Sequence, residues 1–119
     1  ATYVLAPRFS ASTFWPLVLQ SGATLVNTIA AITPILLKRP ASEFIPGHSL
    51  RKLYGAPLTA EMIDGFRERF GVPHLIEGYG MSEIPGAINN PFTGLQKVGA
   101  MGLPSNNQHQ YLAFEIEAV

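Results

Sequence analysis

Two glycine-containing segments of the chain combine residue types suited to holding a nucleotide: Gly55-Ala56-Pro57 and Gly78-Tyr79-Gly80-Met81-Ser82-Glu83. Small residues let a flat ring approach the backbone, an aromatic ring offers a stacking face, a hydroxyl can donate to a phosphate oxygen, and a carboxylate can hold Mg²⁺. Other chemistries fit these residues less well. Ser82 follows Gly80 as in a nucleophile elbow, but the tight turn of an elbow needs glycine two residues after the serine, and Ile84 stands there. Gly78-x-Gly80 lacks the third glycine of a dinucleotide fingerprint, Glu83 occupying its place, and no lysine follows a glycine loop in the Walker manner. His48, His74 and His109 fall at no metal-ligand spacing, so packed or solvated histidines are expected rather than zinc ligands.

The elements that must position these segments alternate. Tyr3 to Ala6 reads as a short strand stopped by Pro7, and Ser10 to Thr13 offers a cap for a helix carrying Phe14, Trp15, Val18 and Leu19 and ended by Gly22. Trp15 is expected in the core of that helix's packing. Thr24 to Thr28, apolar and β-branched, has the composition of a strand covered on both faces. A helix over about Ala30 to Arg39, a loop to Ser49, and a strand from Leu50 to Tyr54 follow. Thr59 caps the clearest helix, with Met62, Ile63, Phe66 and Phe70 on one face, and Gly71 ends it before a strand at His74 to Glu77. This grammar predicts an α/β fold, a parallel sheet flanked by helices, with ligands bound beyond the carboxyl ends of the strands. From Gly78 to Asn107 no period is sustained, so a long functional loop is expected there. Tyr111 to Val119 alternates apolar and polar and reads as a strand of a separate sheet, giving residues 1–110 as an α/β unit and 111–119 as the start of a β-unit.

Composition narrows the function. The 119 residues suffice for one domain, and eight basic side chains balance eight acidic ones, which removes the net field that would recruit nucleic acid or anionic lipid. Without cysteine the chain has no disulfide, thiolate zinc or iron–sulfur chemistry. The apolar stretch from Leu25 to Leu37 is interrupted by Asn27, Thr28, Thr33 and Pro34, short of the ~20 residues of a membrane span. Charged residues are only 13% against an average near ~25%, so part of the surface is expected to be covered, or to drive self-association. The opening Ala-Thr-Tyr-Val-Leu-Ala-Pro has neither a basic leader nor an initiator Met and reads as a strand cut from something longer.

The chain resembles the adenylate-forming enzymes, the acyl-CoA synthetases and their adenylation-domain relatives. Gly78-Tyr79-Gly80-Met81-Ser82-Glu83 is similar to the family's Tyr-Gly-x-Thr-Glu motif, with Ser82 where Thr is usual. Gly55-Ala56-Pro57-Leu58 is similar to its Gly-Ala-Pro-Leu turn, and Val98-Gly99-Ala100-Met101-Gly102-Leu103-Pro104 to its Val-Gly-x-x-Gly-x-Pro segment. Pro7-Arg8-Phe9-Ser10 with Phe14-Trp15-Pro16 further resembles the branch containing carnitine-type acyl-CoA ligases. Singly, Tyr79 reads as a loop aromatic, Glu83 as a cap or solvated acid, and Gly55-Ala56-Pro57 as an ordinary turn; their joint order favours the family.

The resemblance implies a cytoplasmic ligase using ATP, Mg²⁺ and coenzyme A, in which a carboxylic acid becomes an acyl-adenylate and then a thioester. It implies that Gly55, Ala56 and Pro57 lie against the adenine, that Tyr79 stacks on it, and that Ser82 contacts the α-phosphate. Glu83 would bind Mg²⁺, and Gly78, Gly80 and Met81 would help shape the acyl pocket. Replacing Thr by Ser82 keeps the hydroxyl. The family's phosphate loop, ribose-binding Asp, hinge and catalytic lysine are not found in the sequence, so the chain reads as a central piece of a ligase, inactive alone. The alternative is a non-catalytic α/β module that binds a nucleotide or a partner.

Overall fold

The computed structural model describes residues 2–29, 31–91, 96–97 and 99–104. Among these residues three α-helices, α1 (Phe14–Ser21), α2 (Ile32–Lys38) and α3 (Ala60–Phe70), accompany five strands, β1 (Leu25–Asn27), β2 (Lys52–Gly55), β3 (His74–Met81), β4 (Ile84–Asn89) and β5 (Leu103–Pro104). The strands lie in the order β1-β2-β3-β4-β5. β1, β2 and β3 are parallel, and β3, β4 and β5 are antiparallel. The α/β architecture with flanking helices therefore holds, in a sheet that is mixed rather than wholly parallel.

Local chemistry explains the helices. The Thr59 hydroxyl accepts from the Met62 amide and satisfies one of the free donors at the start of α3. At its other end Gly71 adopts φ +66°, a left-handed conformation that glycine enters without strain, and its N–H bonds back into the last turn. Phe66 and Phe70 are buried, while Glu61, Asp64, Arg67 and Glu68 are exposed. Gly65 leaves room for Leu37 of α2 to pack closely. Arg69 ties the two helices by donating to the carbonyls of Leu37 and Arg39.

One hydrophobic cluster unites Phe14, Trp15, Val18, Leu36, Leu50, Leu53, Leu58, Phe66, Phe70, Val72 and Leu75. Trp15 is its aromatic centre, with ring centroids of Phe14, Phe44, His48 and Phe70 within 5.1 Å. His48 is a packed histidine: the Leu50 amide donates to its Nδ1 (3.1 Å), which fixes the proton on Nε2, the donor to the Phe70 carbonyl (2.9 Å).

Three expectations need correction. Tyr3 to Ala6 forms no strand; Tyr3 and Leu5 are 86% and 89% exposed, and among the described residues no strand pairs with the segment to take up its backbone groups. Strand β1 is not covered on both faces: Leu25 is 50% exposed and Asn27, on the same face, is exposed as well. The segment after Glu77 is not a structureless loop: β3 continues to Met81, a two-residue turn at Ser82-Glu83 leads into β4, and β5 joins later. The expected terminal strand, Tyr111 to Val119, lies outside the described residues.

Candidate functional site

Alternation along the parallel strands sets out two faces. Leu53 and Gly55 of β2 stand beside Leu75 and Glu77 of β3 on the core face, and Lys52 and Tyr54 stand beside His74 and Ile76 on the other. By the same alternation Tyr79 follows Glu77 on the core face, and Gly78 follows Ile76 on the other. The sheet changes pairing direction between them. Parallel pairing with β2 ends at Gly55 opposite Glu77, and antiparallel pairing with β4 begins at Gly78 opposite Asn89.

Glu77 connects all three family-like segments. Its side chain is 7% exposed, and its Oε1 accepts the Leu58 N–H at 3.0 Å, which ties the Gly55-Ala56-Pro57-Leu58 turn to β3. Its carbonyl accepts the Asn90 N–H at 2.9 Å. The Asn90 side chain in turn donates to the Ala100 carbonyl at 2.9 Å, which fastens the third segment. Gly102, at φ +110°, presses against the backbone of Asn89 and Asn90, where any Cβ would overlap main-chain atoms.

The small residues have structural occupants. A Cβ on Gly55 would meet the Thr28 hydroxyl, itself buried and paired with Thr33 at 3.2 Å. A Cβ on Gly78 would overlap the Tyr54 hydroxyl and the Asn89 amide oxygen. Tyr54 reaches over Gly78 to donate to Asn89 Oδ1 at 2.6 Å, joining β2 to β4 across the intervening strand. Burial raises the pKa of the Tyr54 phenol, so it remains a donor at neutral pH. The direction a Cβ would take at each of these two glycines is thus filled by the protein's own side chains.

The remaining site residues lie on an open rim. Tyr79 is 42% exposed and presents a partly free ring. Gly80 and Met81 are exposed near the end of β3, and the register shifts between Tyr79 and Met81. Ser82 and Glu83 occupy the hairpin turn, both exposed, and the Ala56–Pro57 peptide, which is cis, lies at the end of β2. Sequence reasoning passed over Glu77, Tyr54 and Asn89. A charged residue closing the apolar run His74-Leu75-Ile76 was the available signal for Glu77.

A family profile described as "AMP-binding enzyme" matches residues 1–113. The chain belongs to that family. Among its relatives, the medium/long-chain-fatty-acid–CoA ligase FadD6 of Mycobacterium tuberculosis is 36% identical over 104 residues, which cover 87% of this chain and 17% of the relative. The human long-chain fatty acid transport protein 1 is 38% identical over 104 residues, 87% of this chain and 16% of its own length. The chain thus spans about a sixth of the relatives it matches. In fold it is similar to a fatty acyl CoA synthetase from Mycobacterium tuberculosis, with TM-score 0.68 and 19% identity over 82% of this chain and 20% of that one. Family and fold thus agree with the resemblance carried by the three motifs.

Proposed function

We propose that the protein carrying this chain is an ATP-dependent acid–thiol ligase that activates a fatty acid as its acyl-adenylate and transfers it to coenzyme A, in the cytoplasm. The observation that supports this reading is the linkage of the three family segments through Glu77, at the carboxyl ends of the parallel strands where α/β sheets bind ligands. Names of the relatives, which refer to medium- and long-chain fatty acids, favour that substrate class. The Pro7-Arg8-Phe9-Ser10 segment, with its carnitine-ligase resemblance, makes a carnitine-like acid the second candidate.

In this reading the turn Gly55-Ala56-Pro57 borders the adenine, Tyr79 stacks on it, Ser82 donates to the α-phosphate, and Gly78, Gly80 and Met81 lie beside the acyl group. Glu83 fits a magnesium site completed by substrate. It is exposed at the hairpin tip, no cluster of three acidic or imidazole groups occurs among the described residues, and Mg²⁺ commonly takes one or two carboxylates with phosphates and water supplying the rest. The metal would neutralise charge as pyrophosphate leaves. We assign residues 1–110 to the α/β part of the adenylation domain and 111–119 to a following β-unit. Among the described residues no helix is long and apolar enough to cross a membrane.

The chain alone is proposed to be inactive, since adenylyl transfer depends on positioning and charge neutralisation by groups this sequence does not contain. ATP–pyrophosphate exchange by the full-length protein, measured with a panel of fatty and carnitine-like acids, tests the assignment. Exchange with medium- or long-chain acids is expected; no exchange with any acid refutes it.

A further inference from the structure

We infer that Tyr54 is a positioning residue for the proposed adenylation: through Asn89 it holds the hairpin of β3 and β4, and with it Ser82 and Glu83, in one setting relative to the Gly55 turn. This rests on the function proposed above. Tyr54 stands near the end of β2 and directly precedes Gly55. β2 and β4 are not neighbours in the sheet, since β3 lies between them. The phenol nevertheless reaches Asn89 Oδ1 at 2.6 Å, because Gly78 has no Cβ to stand in its way.

The hairpin needs such a tie because its pairing is interrupted. Between the pair Tyr79 with Ile88 and the pair Met81 with Ile84, the chain advances two residues along β3 and four along β4. β4 therefore bulges, with Gly86 at φ +66° inside the bulge. A bulge bends its strand and leaves residues out of the ladder, so the ladder below does not by itself fix the direction of the tip where Ser82 and Glu83 stand. Asn89 spans the bulge: its Nδ2 donates to the Gly86 carbonyl at 2.9 Å while its Oδ1 accepts from Tyr54. One amide thus uses donor and acceptor at once, which fixes its orientation and joins the bulge to β2. Loss of the phenol hydroxyl leaves the amide free to turn and the bulge without its anchor on β2. The apolar cluster, built on Leu53 and Leu75 of the opposite sheet face, is untouched by that change.

The experiment uses the full-length protein and measures the Mg²⁺ concentration at half-maximal ATP–pyrophosphate exchange. Tyr54→Phe, which keeps the ring and removes the hydroxyl, is expected to raise it about twofold to tenfold, the range that one ordinary hydrogen bond supplies. In a Glu83→Gln background the same change should add nothing, because the carboxylate it displaces is already gone. A contribution to the fold alone would act equally in both backgrounds, so an equal factor in both overturns the inference, as does an unchanged Mg²⁺ requirement in Tyr54→Phe. Asn89→Leu should reproduce the defect and mask that of Tyr54→Phe, and additive losses in the double variant overturn the role. If Asn89→Leu does not fold, the comparison of the two Glu83 backgrounds decides alone. Hydrogen exchange at the Gly86 and Ala87 amides should quicken in Tyr54→Phe, while that of α3 stays as in the wild type. Absence of ATP–pyrophosphate exchange in the wild type would refute the proposed function instead, while hydrogen exchange at Gly86 and Ala87 still decides whether Tyr54 holds the hairpin.

Discussion

Around Trp15 and Phe66 the molecule is held by packed rings and aliphatic side chains, whereas the rim formed by the end of β3 with β4 and β5 is held by hydrogen bonds to Glu77, Asn89 and Asn90 and by glycines that other groups overlie. The difference separates two tasks. Hydrophobic burial is non-directional and tolerates shifts, so it suits a scaffold. Hydrogen bonds and close backbone approach fix position to within a fraction of an ångström, so they suit a surface that must meet a ligand.

Substitutions can break or sharpen this contrast. The largest stability loss is expected from Phe66→Ala, about 3–5 kcal/mol, because a fully buried ring leaves a cavity at the centre of the α/β half. Urea unfolding would read it, and a loss as small as that of a surface change would mean the core does not centre on α3. Gly78→Ala should cost about 1–3 kcal/mol by overlap with Tyr54 and Asn89, and less in a Tyr54→Phe background that removes the overlapping hydroxyl. Additivity of the two changes would sink the clasp across β3.

Thr59→Ala is expected to lower stability by about 1 kcal/mol through loss of the α3 cap, seen as a lower thermal midpoint. Glu83→Gln should leave stability within about 0.5 kcal/mol, since the side chain is exposed at a turn, yet raise the Mg²⁺ concentration needed for exchange by the full-length protein. Unchanged Mg²⁺ dependence would remove Glu83 from the site. The smallest effect belongs to the half-exposed pair of Arg39 and Glu43. A hydrogen bond from Arg39 holds the Glu43 carboxyl below its ordinary pKa, so any stabilisation is present at neutral pH and is lost as pH falls through the carboxylate range. Melting of Glu43→Gln against pH should approach wild type in acid and in high salt; a difference that grows in acid would reverse the sign.

Legibility followed the same division. α3 could be read in advance because Thr59, the spacing of Met62, Ile63, Phe66 and Phe70, and Gly71 each carry a local signal. The rim could not, because its strands are written in Gly, Pro and Asn. Gly78 sits in a strand for a reason that only Tyr54 and Asn89, distant in sequence, supply. Tyr3 to Ala6 failed in the opposite way: its composition suits a strand, but strand formation requires a neighbour, which composition cannot report. Candidate residues on the two turns were found from their types, while Glu77 was hidden because its partner Leu58 is brought close only by folding.

The reversal of pairing direction at the Glu77–Gly78 peptide makes strand length a specification in its own right. One residue inserted there would carry Tyr79 from the face it shares with Glu77 to the face of Tyr54, because side chains alternate with a period of two. The ring would then lie on the face opposite the one that Gly55 shares with Glu77, although every residue type needed for the proposed chemistry would still be present in order.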